Sequence, residues 1–292
     1  MAEMAPGWRT NVRSVSVAGV AFGLTRLLGP VLPELAGGVA ERLWMSPRRP
    51  AVPERELAFR SAATPLRLPW DEGALAGWSW GDGPTVLLVH GWEGRGTQLG
   101  SFVAPLVAHG FRVVAFDAPA HGDTPGKTLV LPRFADAVTA AVRSVGPVHA
   151  IIAHSFGAPA VAYALRARLA VDAVAFVAPM DAAAAIRRFV RWTNLGPEVR
   201  RAMEERLAHR FGHRIEQFSA ASLGRDQHPP LLVLHDRTDP ICPVDDGEAW
   251  ARTWPDATFD VTEGLGHTRI LRDEGVVSAV TAFVRARARA AA

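Results

Sequence analysis

The stretch IIAHSFGAPA, residues 151–160, decides how the chain is read. A short apolar run over residues 148–153 stops at Ser155, and mostly small residues follow over 157–164. A continuous apolar run of that length suits a strand buried on both faces of a parallel sheet. The serine therefore falls where a buried strand bends abruptly into a helix, the setting of a nucleophile elbow. Small residues are needed two before and two after such a serine, because the tight turn brings neighbouring backbones close. Gly157 meets that need, and Ala153, one methyl larger than glycine, stands at the other position.

Towards the N-terminus, TVLLV (85–89) is another strand of the same type and ends in HGW, His90 to Trp92, with a glycine-rich loop to Gly100. A helix is expected over 98–109 and a strand over 112–116, which ends at Asp117 in DAPAHGDTPG. Leu131, Phe134, Val138 and Val142 recur at helical spacing and mark an amphipathic helix. Upstream, 57–68 and 75–80 read as early strands joined through the turn GDGP (81–84) to the strand at 85. SPRRPAVP (46–53) reads as a stiff linker, since closely spaced prolines cannot continue a helix. Residues 12–44 are apolar and glycine-rich, and are expected to form one or two helices on the outside of the main domain. The apolar stretch 16–24 behind Arg9 and Arg13 is too short to span a membrane and is followed by no clear cleavage site, so neither a span nor a signal peptide is expected.

Towards the C-terminus, a strand over 174–177 is followed by a break in rhythm. Over 181–229 the chain turns helical and charged, with many arginines interleaved with Phe189, Trp192, Leu195, Met203, Leu207 and Phe211. About 50 residues is far beyond an ordinary strand-to-helix connection, so this is an inserted helical subdomain. Strands resume with LLVLH (231–235), then a helix over 246–253, a strand over 258–261, GLGHTRIL carrying His267, and a closing helix to Arg287. The basic tail, Arg285, Arg287 and Arg289, reads as a solvated helix end. The fold class is α/β: a mostly parallel sheet flanked by helices, with a helical insertion. The expected units are an N-terminal helical extension and linker (1–53), the first part of the core (54–180), the insertion (181–229) and the second part of the core (230–292).

The bulk properties exclude several classes. With 292 residues, 49% hydrophobic and 21% charged, the chain is an ordinary globular protein, and its net charge of +3 gives no reason to expect a nucleic-acid partner. Cys242 is the only cysteine, so no intrachain disulfide is possible, a cytoplasmic location is expected, and the residue reads as small and packed. No pair of histidines has metal-ligand spacing with a nearby carboxylate on one helix, so no metal site is expected.

A serine hydroxyl needs a base to take its proton as it attacks, normally a histidine oriented by a carboxylate. The chain offers Ser155, Asp239 and His267 in that order, with the acid and the base each in a loop after an expected strand. Loops at the carboxyl ends of neighbouring parallel strands converge on one edge of a sheet, so the three can meet. Asp181, just past its own strand, is the rival for the acid; Asp236 reads as a turn residue.

At this point the chain resembles the α/β-hydrolase family over about residues 57–287. The matches are HGW at 90–92, DAPAHG at 117–122, HSFGA at 154–158, HDRTDPICP at 235–243 and GHTRIL at 266–271. The resemblance implies Ser155 as nucleophile, His267 as general base, Asp239 as orienting acid and 181–229 as the cap. It also implies an oxyanion hole from the backbone N–H groups of Phe156 and Trp92. His90, His121 and His154 are expected to be structural hydrogen-bonding residues, and Glu93 and Arg95 to be solvated loop charges. Phe189 and Trp192, with the other apolar cap residues, are the expected wall for an acyl group. The activity implied is a cofactor-independent serine hydrolase acting on a small carboxylic ester or thioester. The alternatives are a non-catalytic binding protein on the same fold, or transferase, lyase or perhydrolase chemistry at the same three residues.

Overall fold

The structure is a computed structural model that describes residues 29–71 and 73–287, together with Gly23, Thr25 and Leu27. Most of the apolar stretch 16–24, with Arg9 and Arg13, lies outside the described residues, as does Arg289. Among the described residues no helix is long and apolar enough to cross a membrane.

Eight strands form one sheet in the order β1-β2-β4-β3-β5-β6-β7-β8. They are β1 Thr64–Trp70, β2 Gly73–Trp80, β3 Thr85–Val89, β4 Arg112–Phe116, β5 Val148–His154, β6 Val171–Val177, β7 Leu231–Asp236 and β8 Ala257–Thr262. β1 and β2 pair antiparallel, and β2 joins β4 antiparallel; every other pairing is parallel. β3, β5 and β7 are buried along their whole length, which is why they read as unbroken apolar runs rather than alternating ones. Pro65 and Pro69 fall in β1, at the sheet's edge, where a missing N–H donor is tolerated.

Helices cover the sheet. In chain order they are α1 Pro33–Met45, α2 Glu54–Ser61, α3 Val103–Ala108, α4 Leu131–Val145, α5 Gly157–Leu165, α6 Ala182–Thr193, α7 Pro197–Phe211, α8 Ala220–Leu223, α9 Val244–Thr253, α10 Gly266–Arg269 and α11 Glu274–Ala286. α4 buries Leu131, Phe134, Val138 and Val142 as its spacing requires. Truncating the fully buried Phe134 to alanine is the kind of change that costs about 3–5 kcal/mol.

Two local expectations are corrected. Residues 57–61 are helix, not strand: after Pro53 the segment ERELAFRS forms α2, with Glu54 and Glu56 in its first turn. There, acidic side chains meet the positive end of the helix dipole. The single helix expected over 98–109 is a 3₁₀ segment, Gly96–Phe102, followed by α3, with a non-helical break at Leu99. The extension's α1 lies along α7 of the insertion. A Cβ on Gly37 would stand 2.7 Å from that of Ala202, so glycine permits the close approach. Beside it the buried Glu41 receives Arg206 and Arg210, each at 2.8 Å.

Candidate active site

β5 ends at His154, and Ser155 follows with φ +52°, a left-handed backbone that serine adopts only when its surroundings impose it. The Ser155 N–H donates to Val177 O of β6, and its carbonyl accepts from Ala158 and Met180 N–H, so the turn is held on both sides. Neighbouring glycines make room for it. A Cβ on Gly157 would lie 2.7 Å from His90 O and 2.8 Å from Val89 O, and one on Gly91 would lie 2.7 Å from the Ser155 Cβ. Ala153 sits fully buried between Val89 of β3 and Phe176 of β6, where its single methyl fits.

Three side chains from three separate loops form an unbroken line at this point. His267 Nε2 is 3.0 Å from Ser155 Oγ, and His267 Nδ1 is 2.7 Å from Asp239 Oδ2. The other carboxylate oxygen, Oδ1, accepts from Ile241 N–H at 2.8 Å and Cys242 N–H at 3.0 Å. Burial pushes the Asp239 carboxyl up, yet hydrogen bonds from His235, His267 and the Ile241 amide hold it well below the usual carboxylate range. An ionised acid against Nδ1 leaves the proton on that nitrogen and the lone pair of Nε2 facing the serine.

The loops carrying Asp239 and His267 are tied to each other by Asp236, at the end of β7. Its carboxylate accepts from the Thr238 N–H and hydroxyl on one side and from the Thr262 hydroxyl and Leu265 N–H on the other. His154 lies behind the His267 ring, centroids 4.7 Å apart, and its Nε2 bonds the His267 carbonyl at 2.9 Å. Burial pushes His154 down to about 3, and the neighbouring His267 ring acts in the same direction, so it works as a neutral donor. Cys242 is fully buried with its Sγ 3.9 Å from Ser155 Oγ, and burial drives its thiol well above the ordinary value.

On the opposite side of Ser155 lie Phe156, the N-cap residue of α5, and Trp92, in the loop after β3; their rings meet edge to face at 5.6 Å. Among the described residues neither backbone N–H has an acceptor within the protein, so both remain available to a bound oxygen. Gly91 O accepts from Gly94 N–H at 3.1 Å and lies 2.7 Å from His90 Nδ1. His90 Nε2 in turn accepts from Ala118 N–H, and burial pushes this histidine well down. His121 accepts from Glu93 N–H at 3.0 Å, and burial lowers it to about 4.

The expectation that Glu93 and Arg95 are solvated is overturned. The Glu93 carboxylate receives Arg48 Nε and Nη2 at 2.7–3.0 Å, together with the Arg48 N–H at 3.1 Å. Arg95 is buried against Glu56 of α2 at 2.7 Å and Pro50 O at 3.2 Å. Charges in a glycine-rich loop are indeed usually solvated; here the linker and α2 lie over the loop and take them up. Nothing in the local sequence signals this.

The rival acid Asp181 is turned away from His267. It caps α6 through Ala184 N–H and accepts from Ala220 N–H. The cap residues proposed to touch substrate sit on α6, where Phe189 packs on Trp44 with centroids 4.9 Å apart and Trp192 is 53% exposed. Met203, Leu207 and Phe211 are buried in the core. Among the described residues no group of three or more His, Cys, Asp or Glu side chains is arranged to hold a metal ion.

A mostly parallel eight-stranded sheet, an elbow serine after β5, and an acid and a histidine after β7 and β8 define the α/β-hydrolase class of protein. The alpha/beta hydrolase family matches residues 86–279, more than half of the chain, and the protein belongs to it. A pimeloyl-[acyl-carrier protein] methyl ester esterase of Aromatoleum aromaticum is 25% identical over 234 residues, covering 64% of this chain and 92% of the relative. An esterase of Pyrococcus furiosus superposes with a TM-score of 0.63 at 18% identity, over 83% of this chain and 97% of its own. A monoacylglycerol lipase of Paleococcus ferrophilus gives 0.58 at 22%, over 73% and 99%. At these identities the two structures establish the fold.

Proposed function

We propose that the protein is a cofactor-independent serine hydrolase that cleaves a small carboxylic ester or thioester through an acyl-enzyme. The observation that carries this reading is the line Ser155 Oγ, His267 Nε2, His267 Nδ1, Asp239 Oδ2, with contacts of 3.0 and 2.7 Å, on a serine in a left-handed turn. As Ser155 Oγ attacks the carbonyl carbon, His267 Nε2 takes its proton, and Asp239 stabilises the imidazolium that forms. The oxygen that becomes negative is received by the N–H groups of Phe156 and Trp92. His267 then hands the proton to the leaving alcohol or thiol, and later takes one from the water that releases the acid. The methyl ester esterase among the relatives supports an ester as the scissile bond. Phe189 and Trp192 are the proposed wall for the acyl chain.

The test is labelling with a fluorophosphonate, read by intact mass, beside hydrolysis of p-nitrophenyl esters. Wild type should gain one adduct at Ser155. Ser155→Ala, which removes one hydroxyl, should lose the adduct and nearly all turnover while keeping its melting transition. Turnover by the alanine variant near the wild-type rate removes Ser155 from the mechanism. An unlabelled wild type that hydrolyses no ester favours the non-catalytic binding protein.

A further inference from the structure

We propose that Arg48, in the linker between α1 and α2, is a positioning residue for the oxyanion amide of Trp92. The inference rests on the reading of Trp92 as an oxyanion donor. The Trp92 N–H belongs to the same planar peptide unit as the Gly91 carbonyl, and in a trans peptide the two point in opposite directions. Whatever fixes Gly91 O therefore aims the Trp92 N–H. Gly91 O is fixed by Gly94 N–H, which closes a four-residue turn over 91–94, and by His90 Nδ1.

The third residue of that turn is Glu93, at φ +56°, a backbone that glycine or asparagine adopts far more readily than glutamate. Glu93 is held there from two sides. Its N–H donates to His121 Nε2 at 3.0 Å. Its carboxylate receives the Arg48 N–H, Nε and Nη2, a forked arrangement matched to both carboxylate oxygens.

The same linker holds the other support. The Arg49 guanidinium donates to the carbonyls of Ala120, Gly122, Thr124 and Gly126, which closes the loop that presents His121. Residues 46–53 thus bind both loops on which the turn depends, from outside the family match at 86–279. The Arg48 side chain is half exposed, so its removal opens no cavity.

Arg48→Ala should lower kcat for a p-nitrophenyl ester by about ten- to hundredfold, the size expected when an oxyanion donor is displaced rather than deleted. KM should stay unchanged, since an interaction made only in the transition state is lost. Affinity for a trifluoromethyl ketone, which becomes a tetrahedral oxyanion on Ser155, should fall by the same factor. Arg48→Lys should recover part of the loss, because an ammonium reaches the carboxylate without the fork. Glu93→Gln should resemble Arg48→Ala, and the double variant should be no worse than either single one. The proposal is overturned if Arg48→Ala keeps kcat within twofold of wild type, or if kcat falls while ketone affinity does not. Should wild type bind no fluorophosphonate and turn over no ester, the oxyanion reading itself falls and the positioning role with it.

Discussion

Asp239 is held by N–H groups two and three residues further along its own loop, and His267 by that acid and by His154 at the end of β5, so each of these supports stands at or just past a strand end of the sheet itself. The turn carrying Trp92 is held differently: its supports reach back 45 residues to Arg48, and the loop beneath it reaches back up to 77 residues to Arg49. One rim of the site is therefore assembled from short loops at the ends of neighbouring strands, while the other depends on a segment that crosses the domain from the N-terminal side. The first kind of support survives changes elsewhere in the chain. On the role proposed for the Trp92 amide, the second couples a backbone donor to a distant linker, so damage far from Ser155 would reach the oxyanion.

The largest effect should come from the locally built rim. Asp239→Asn leaves the loop able to form but presents His267 Nδ1 with the wrong partner, and should lower kcat on the order of 10⁴-fold. Asp181→Asn, which keeps an N-cap acceptor for α6 and loses one carboxylate oxygen as acceptor between Ala184 N–H and Ala220 N–H, should leave kcat near wild type. Stopped-flow or steady-state hydrolysis of one activated ester by both variants decides the matter. A large loss in the Asp181 variant with none in the Asp239 variant would move the acid to the other strand and dissolve the contrast drawn above.

On the other rim, Asp117 joins the two loops beneath the turn: Oδ1 accepts from Gly96 N–H at 2.8 Å and Oδ2 from Asp123 N–H at 2.7 Å. Burial pushes this carboxyl up to about 6, against the pull of both amides. Between about pH 4 and about pH 6 the folded protein thus holds a proton that the unfolded chain has released. Stability must then fall as pH rises through that window, by about 3 kcal/mol over two pH units. Asp117→Asn has no such proton to lose. The stability difference between wild type and variant, from urea melts at several pH values, should narrow as pH rises from about 4 to about 6. A difference constant across that range would mean that Asp117 ionises as freely in the fold as in the unfolded chain.

The same contrast explains what the sequence disclosed. β3 and β4 can be bounded from the chain alone because strands buried on both faces are uninterrupted apolar runs. The loops after β5 and β7 announce themselves because each follows such a run, with Ser155 directly after β5 and Asp239 three residues after β7; β8 is a partly exposed edge strand, and His267, five residues beyond it, is legible from GHTRIL instead. Arg48, Arg49, Glu93 and Arg95 give no comparable sign, since an ion pair formed across the fold leaves no periodicity and no spacing. α2 was hidden for the same reason. Its short sequence mixes apolar and charged residues, and what anchors it is the buried Glu56 carboxylate, which meets Arg95 and Thr97 only after folding.

The cap belongs with the second kind of support, and its effect on activity should be the smallest. Three of its arginines are already committed to buried carboxylates: Arg188 to Asp246 through both terminal nitrogens, and Arg206 and Arg210 to Glu41. A charged acyl group entering beneath α6 would have to compete for them, and an uncompensated charge against apolar side chains costs several kcal/mol. The protein should therefore prefer p-nitrophenyl esters of neutral acyl chains to a dicarboxylate half-ester. Trp192 stands 53% exposed on α6, so Trp192→Ala leaves the fold's buried core in place. In a series from acetate to decanoate the variant should lose a few-fold in kcat/KM on the longer chains and nothing on acetate, since each methylene in an apolar pocket is worth about 1–3 kcal/mol at most. If the chain-length profile is unchanged, Trp192 does not meet the acyl chain; if the half-ester is preferred, one of the committed arginines has exchanged its carboxylate for the substrate's.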